Sequence, residues 1–185
     1  MENLLLKKLN EVNAQREKRL STAKYVLSHT EELPVLITYC FQNNDHTLSY
    51  KACWVLEFVA KENLTFIFPY ISNIVHQIPK VNHESAIRSL AKITELICIF
   101  HSKQKTSIEF KLTKDDIEKI ITYCFDWLIA THKVAIKAHA MQCLLLLSKE
   151  CSWVQEELKI ILQQNFKNHS AAYQARARNI LKKLT

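Results

Sequence analysis

"ITYCF" occupies residues 37–41 and recurs at residues 121–125, and whether that recurrence is accident or the trace of a repeated unit decides the fold. Around the second copy, Ile117, Ile120, Ile121, Cys124, Phe125 and Leu128 are separated by steps of three and four. That spacing puts all six on one face of an α-helix. Ile67, Tyr70, Ile71, Ile74, Val75 and Ile78 repeat it, as do Ala86, Leu90, Ile93 and Ile97. No comparable run alternates with period two, so the predicted class is all-α.

The polar turns between these runs share an arrangement. His46, His83, His132 and His169 each stand four residues before Tyr50, Ile87, Ile136 and Tyr173. The pairs that follow are Lys51-Ala52, Arg88-Ser89, Lys137-Ala138 and Gln174-Ala175. The histidines are 37, 49 and 37 residues apart, and the surplus of the middle interval lies in "SKQKTSIEFKLTKD" at 102–115. "ITYCF" precedes the first and third of these turns, which fits equivalent helices. A period of this length with two helices per unit predicts a helical solenoid, each hairpin burying its apolar face against the next. The expected units are 30–63, 64–101, 114–150 and 152–184, with 102–113 an insertion and 1–29 a helical cap, all in a single domain covering 1–185. The cap supplies Leu4, Leu5, Leu9 and Val12, then Leu20, Ala23 and Leu27, as covering faces.

Composition narrows function by exclusion. The 185 residues include no glycine, where about 7% is usual. A dinucleotide fingerprint or a phosphate-binding loop needs glycine for close backbone approach, so neither can be written here. Three leucines followed at once by Lys7 and Lys8 make too short an apolar run for a signal segment, and no stretch reaches the ~18 apolar residues of a membrane span. The six cysteines show no C-x-x-C spacing. They read as reduced core residues of a cytoplasmic protein, neither a disulfide framework nor a zinc knuckle.

"ELPVLITYCFQNNDHTLSYKACWVLEFVA" resembles a HEAT repeat, with a proline early in the first helix (Pro34), an acidic turn and an apolar-basic-small triplet opening the second helix. "IFPYISNIVHQIPKVNHESAIRSLAKI" repeats the pattern with Pro69. The resemblance covers about residues 30–184 and implies a right-handed α-α superhelix, HEAT/armadillo-like, of about four hairpins. It also implies an inter-repeat ladder pairing Asp45 with Lys51 and Asn82 with Arg88. Thr131 with Lys137 and Asn168 with Gln174 depart from the family's pattern. The chain is also similar to short bacterial HEAT-like proteins that sometimes carry the label adenylosuccinate lyase. True lyases of that name use a flexible loop containing serine and glycine, and this glycine-free chain has no such loop. The label is therefore expected to be a misannotation.

Candidate sites follow from the repeat geometry. Equivalent histidines on helices about 8–10 Å apart cannot share an ion whose ligands sit roughly 2.1 Å away, so no metal and no cofactor is expected. The net charge of +7 permits polyanion attraction without demanding it. HEAT-like DNA alkylation glycosylases hold DNA with a tryptophan and an aspartate one helical turn apart; neither Trp54 with Glu57 nor Asp126 with Trp127 matches them. The expected function is a non-catalytic module that presents its second-helix surface, Trp54, Glu57, Arg88, Lys137, Arg176 and Arg178, to a protein partner. Nucleic-acid binding through the basic strips is the alternative.

Overall fold

A chain without glycine must end its helices without the left-handed corner that glycine usually provides. In the computed structural model, which describes residues 4–42, 45–103 and 111–184, no residue has positive φ. Helices stop instead by swinging into extended geometry, as at Gln42 (φ −73°, ψ 138°), Asn63 (φ −150°, ψ 94°) and Ala130 (φ −69°, ψ 170°). Every regular element among the described residues is helical, in agreement with the all-α, HEAT-like class. Residues 104–110, which hold most of the expected insertion, lie outside the described residues.

Contacts divide the chain into two compact units, Met1–Ile93 and Thr94–Thr185. The first holds α1 (Leu4–Glu11), α2 (Arg16–Ser28), α3 (Glu32–Phe41), α4 (His46–Glu62), α5 (Ile71–Gln77) and the opening turns of α6 (Glu84–Lys103). Here α3 and α4 form a hairpin, and α1 and α2 pack on α4. The helix-period face at 67–78 is buried through Ile67, Ile71, Ile74, Val75 and Ile78. It is not one α-helix, however. Pro69 and Pro79 lack the amide hydrogen that an unbroken helix needs, and α5 is flanked by the 3₁₀ turns Leu64–Tyr70 and Ile78–Lys80.

The second unit holds the rest of α6, then α7 (Lys114–Ile129), α8 (Val134–Leu147), α9 (Ser152–Asn165) and α10 (Ala171–Leu181). α7 pairs with α8, and α10 packs on both α8 and α9. α7 begins in a reciprocal cap. Thr113 Oγ1 accepts from the Asp116 backbone at 3.1 Å, and Asp116 Oδ2 accepts from the Thr113 backbone at 3.1 Å, an arrangement contributing about 1 kcal/mol. The predicted α7 face is buried at Ile117, Ile120, Ile121, Cys124 and Leu128, while Phe125 is half-buried. Each such large side chain contributes roughly 1.5–3 kcal/mol by leaving water. Leu4 departs from the expected covering face, with 48% of its surface exposed.

Candidate interaction surface

On the second-helix side of the first unit, an aromatic strip adjoins a group of cations. The Arg19 guanidinium of α2 lies 4.1 Å from the Trp54 ring centroid on α4. Trp54 sits 4.8 Å from Tyr50, which stacks on His83 at 4.7 Å and 17°. Trp54 keeps part of its surface open to solvent, as an aromatic anchor must if it is to meet a partner.

Beneath this strip Glu57 is only 3% exposed, so its carboxylate is not part of the open surface expected for it. Glu57 Oε2 accepts from Ser89 Oγ at 2.7 Å, Glu57 Oε1 is bridged to Lys61 Nζ, and Arg88 Nη1 stands 3.7 Å from Oε2. Burying a carboxylate is tolerable only with such partners. Burial pulls the Arg19 guanidinium below its ordinary value; Glu57 works against that effect and Arg88 adds to it. Three cations thus surround one carboxylate, and Arg88 remains 48% exposed by side chain. At 3.7 Å it is ion-paired with Glu57 without a hydrogen bond to it.

The second unit holds a comparable buried carboxylate. Glu95 is 6% exposed; it accepts from His139 Nδ1 at 3.0 Å and from Arg176 Nη2 at 3.2 Å. Arg176 also donates to the Ala138 carbonyl and to Gln142 Oε1, both at 3.3 Å. Arg176, expected on an open strip, is therefore tied into the fold. Arg178 is exposed, its Nε donating to the Gln174 carbonyl at 3.4 Å.

Lys137 is 4% exposed and donates to the Leu128 carbonyl at 2.9 Å, which caps the end of α7 and removes its charge from any open groove. Burial lowers its pKa. Nor do the expected ladder pairs bond to each other. Asp45 accepts from the Leu48 backbone at 3.0 Å as the α4 cap, and Lys51 donates to the Asn10 carbonyl at 2.7 Å. Asn82 is exposed, and Arg88 turns to Glu57. The basic residues at this repeated position thus reach helix-end carbonyls or a buried carboxylate, not turn carboxylates.

Sequence reading missed His101, which is 5% exposed. Its Nδ1 accepts from the Leu112 backbone at 3.2 Å, so Nε2 carries the proton given to Glu150 Oε1 at 2.5 Å. Those partners lie 11 and 49 residues away, beyond any helical period. Of the carboxylate-aromatic neighbours, Asp126 is exposed while Trp127 is 6% exposed. Cys98, Cys124 and Cys143 are fully buried; burial, helped by hydrogen bonding to Cys143, pushes the Cys124 thiol well up, whereas in Cys98 hydrogen bonding to Cys143 raises the thiol first and burial adds to that. Among the described residues, no group of three or more histidine, cysteine, aspartate or glutamate side chains is arranged to hold a metal ion.

Cavities lie elsewhere. Two, of about 340 and 590 Å³, share Pro34 and Tyr70 on the first-helix side of the first unit. A third, of about 490 Å³, lies against α10 in the second unit. Compared with known families, residues 7–184 match a model described as a HEAT repeat domain. Curated proteins and solved structures give no match.

Proposed function

Because this chain belongs to the HEAT repeat family, we propose that it is a non-catalytic interaction module whose docking face is the second-helix surface of the first unit. The half-exposed Trp54, held between Arg19 and Tyr50, carries this reading. A rigid aromatic beside an arginine has the composition enriched in protein interfaces. Glu57 serves from below, fixing Ser89 and drawing Arg88 and Lys61 to one spot. The partner is a protein, and the surplus of cations favours one with an acidic surface.

In this reading 1–29 caps four repeats at 30–63, 64–101, 114–150 and 152–184 within one domain. The module needs no cofactor and works in the reducing cytoplasm. Five of its six thiols are buried and unpaired, which is compatible with that compartment. Among the described residues no helix is long and apolar enough to cross a membrane.

The test is affinity capture from the native cell with the wild-type chain and a Trp54→Ala/Arg88→Glu double variant, each first shown to be folded by circular dichroism. A protein retained by the wild type and lost by the variant is the expected result. Equal recovery by both ends the proposal for this face.

A further inference from the structure

Beyond Glu157 the chain carries Lys159, Lys167, Arg176, Arg178, Lys182 and Lys183 and not one aspartate or glutamate. Coulombic attraction for an anion is therefore unopposed by any side chain of the same segment. Arg176 is committed to Glu95, but Lys167 and Arg178 are exposed and line the cavity of about 490 Å³. Lys167 comes from the 3₁₀ turn Phe166–Asn168 and Arg178 from α10. The only side-chain hydrogen bond of Arg178 among the described residues runs from Nε to the Gln174 carbonyl, which leaves its terminal nitrogens for a ligand.

The rest of the lining is not what a bare anion needs. Gln163, Gln164 and Asn168 bring three side-chain amides, each able to donate and to accept. Phe166 and Leu181, both half-buried, bring an aromatic ring and an apolar floor. A flat heterocycle uses a ring to stack on and amides to read its edge, while an attached phosphate uses the two cations. The volume lies within the range of small-ligand pockets, about 300–1,000 Å³.

We propose that this cavity in the second unit is a binding site for a nucleoside phosphate, met free or as one residue of a single-stranded nucleic acid. Lys167 and Arg178 hold the phosphate, Phe166 packs on the base, and the amides of Gln163, Gln164 and Asn168 contact its edge. The site shares no residue with the docking face on the first unit and stands independently of it.

The test uses the full chain in two arms. Fluorescence anisotropy follows a labelled oligothymidylate of about ten nucleotides, and calorimetry follows a nucleoside monophosphate with inorganic phosphate as the control. Strand binding is expected to weaken steeply between about 50 and 200 mM salt. Arg178→Gln and Lys167→Gln each weaken both arms by about fivefold or more. Phe166→Leu weakens nucleotide binding about fivefold and leaves inorganic phosphate unchanged. Lys24→Gln, the same charge loss at an exposed site in the first unit, leaves both arms unchanged. A monophosphate that competes with the strand identifies free nucleotides as ligands; a strand that binds alone, with the same dependence on Arg178 and Phe166, identifies nucleic acid. The proposal is overturned by no binding in either arm, by inorganic phosphate binding as well as the nucleotide, or by Lys24→Gln weakening binding as much as Arg178→Gln does.

Discussion

Ser89 on α6 donates its hydroxyl to the buried Oε2 of Glu57 on α4 across 2.7 Å, joining two second helices through a carboxylate that also pairs with Lys61 and Arg88. Glu57→Gln keeps the shape and removes the charge around which those cations gather. Stability is expected to fall by roughly 2 kcal/mol, and Ser89→Ala should lower it by about 1 kcal/mol. Urea unfolding measures both. An unchanged midpoint in Glu57→Gln would show that Arg88 and Lys61 are satisfied by solvent.

Glu95 links α6 to α8 and α10 through His139 and Arg176. Because both act on one carboxylate, their substitutions should not add. A cycle built from His139→Ala, Arg176→Met and the double variant is expected to give a coupling energy of about 1 kcal/mol. Strict additivity of the unfolding free energies would mean that the two contacts act separately.

Alkali should destabilise the fold. Burial raises the folded pKa of Cys40, Cys124 and Tyr123 well above their ordinary values; in Cys98, hydrogen bonding to Cys143 raises it first and burial adds to that. In the unfolded chain the thiols ionise as the pH passes 9.0 and Tyr123 as it passes 10.0, while the folded chain keeps these groups protonated. The unfolded state then holds fewer protons than the folded one, so stability falls as pH rises. Lys137 acts oppositely. Its folded pKa is lowered from 10.5, so the unfolded state binds the extra proton and stability gains with pH. Cys143 acts the same way below 9.0, because burial raises its pKa but hydrogen bonding with Cys124 and Cys98 outweighs that and lowers it to about 5. Above 9.0 that gain is complete, and one lysine faces three thiols and a phenol. Unfolding midpoints followed upward from pH 9.0 should decline, and less steeply in Cys98→Ala. A flat profile contradicts the burial of these groups.

Thiol chemistry gives a direct reading of the core. Cys40, Cys53, Cys98, Cys124 and Cys143 are buried, and Cys151 is partly exposed. A colourimetric disulfide reagent should therefore modify Cys151 promptly in the native protein and the other five only after denaturant is added. Rapid reaction of a second thiol before unfolding would place one of the core positions in contact with water.

The helical face around Ile117 to Leu128 was legible because burial on one side of a helix leaves a period in the chain, and His46, His83, His132 and His169 stand at or within two residues of the starts of α4, α6, α8 and α10. The break at Pro69 was harder to read. Ile67, Ile71 and Ile74 keep helical spacing although the backbone passes through a 3₁₀ turn, so the period survives where the helix does not. Trp54, expected on the second-helix surface, keeps part of its area open to solvent. The burial of Glu57 and Lys137 was not, because their partners are fixed by how helices cross. Ser89 is 32 residues from Glu57, and Leu128 is nine from Lys137. His101 was invisible for the same reason, its ring being held between Leu112 and Glu150.

Every described corner of this chain lies in backbone territory open to all ordinary L-amino acids. A left-handed corner would reserve its position for glycine or asparagine; the corners at Gln42, Asn63 and Ala130 reserve nothing. Substitution there is constrained by what the side chain touches and scarcely by torsion. The rims where the hairpins turn are thus free to exchange chemistry from one relative to the next while the stacked helices stay as they are, and diversity of ligands across such chains should concentrate at those rims.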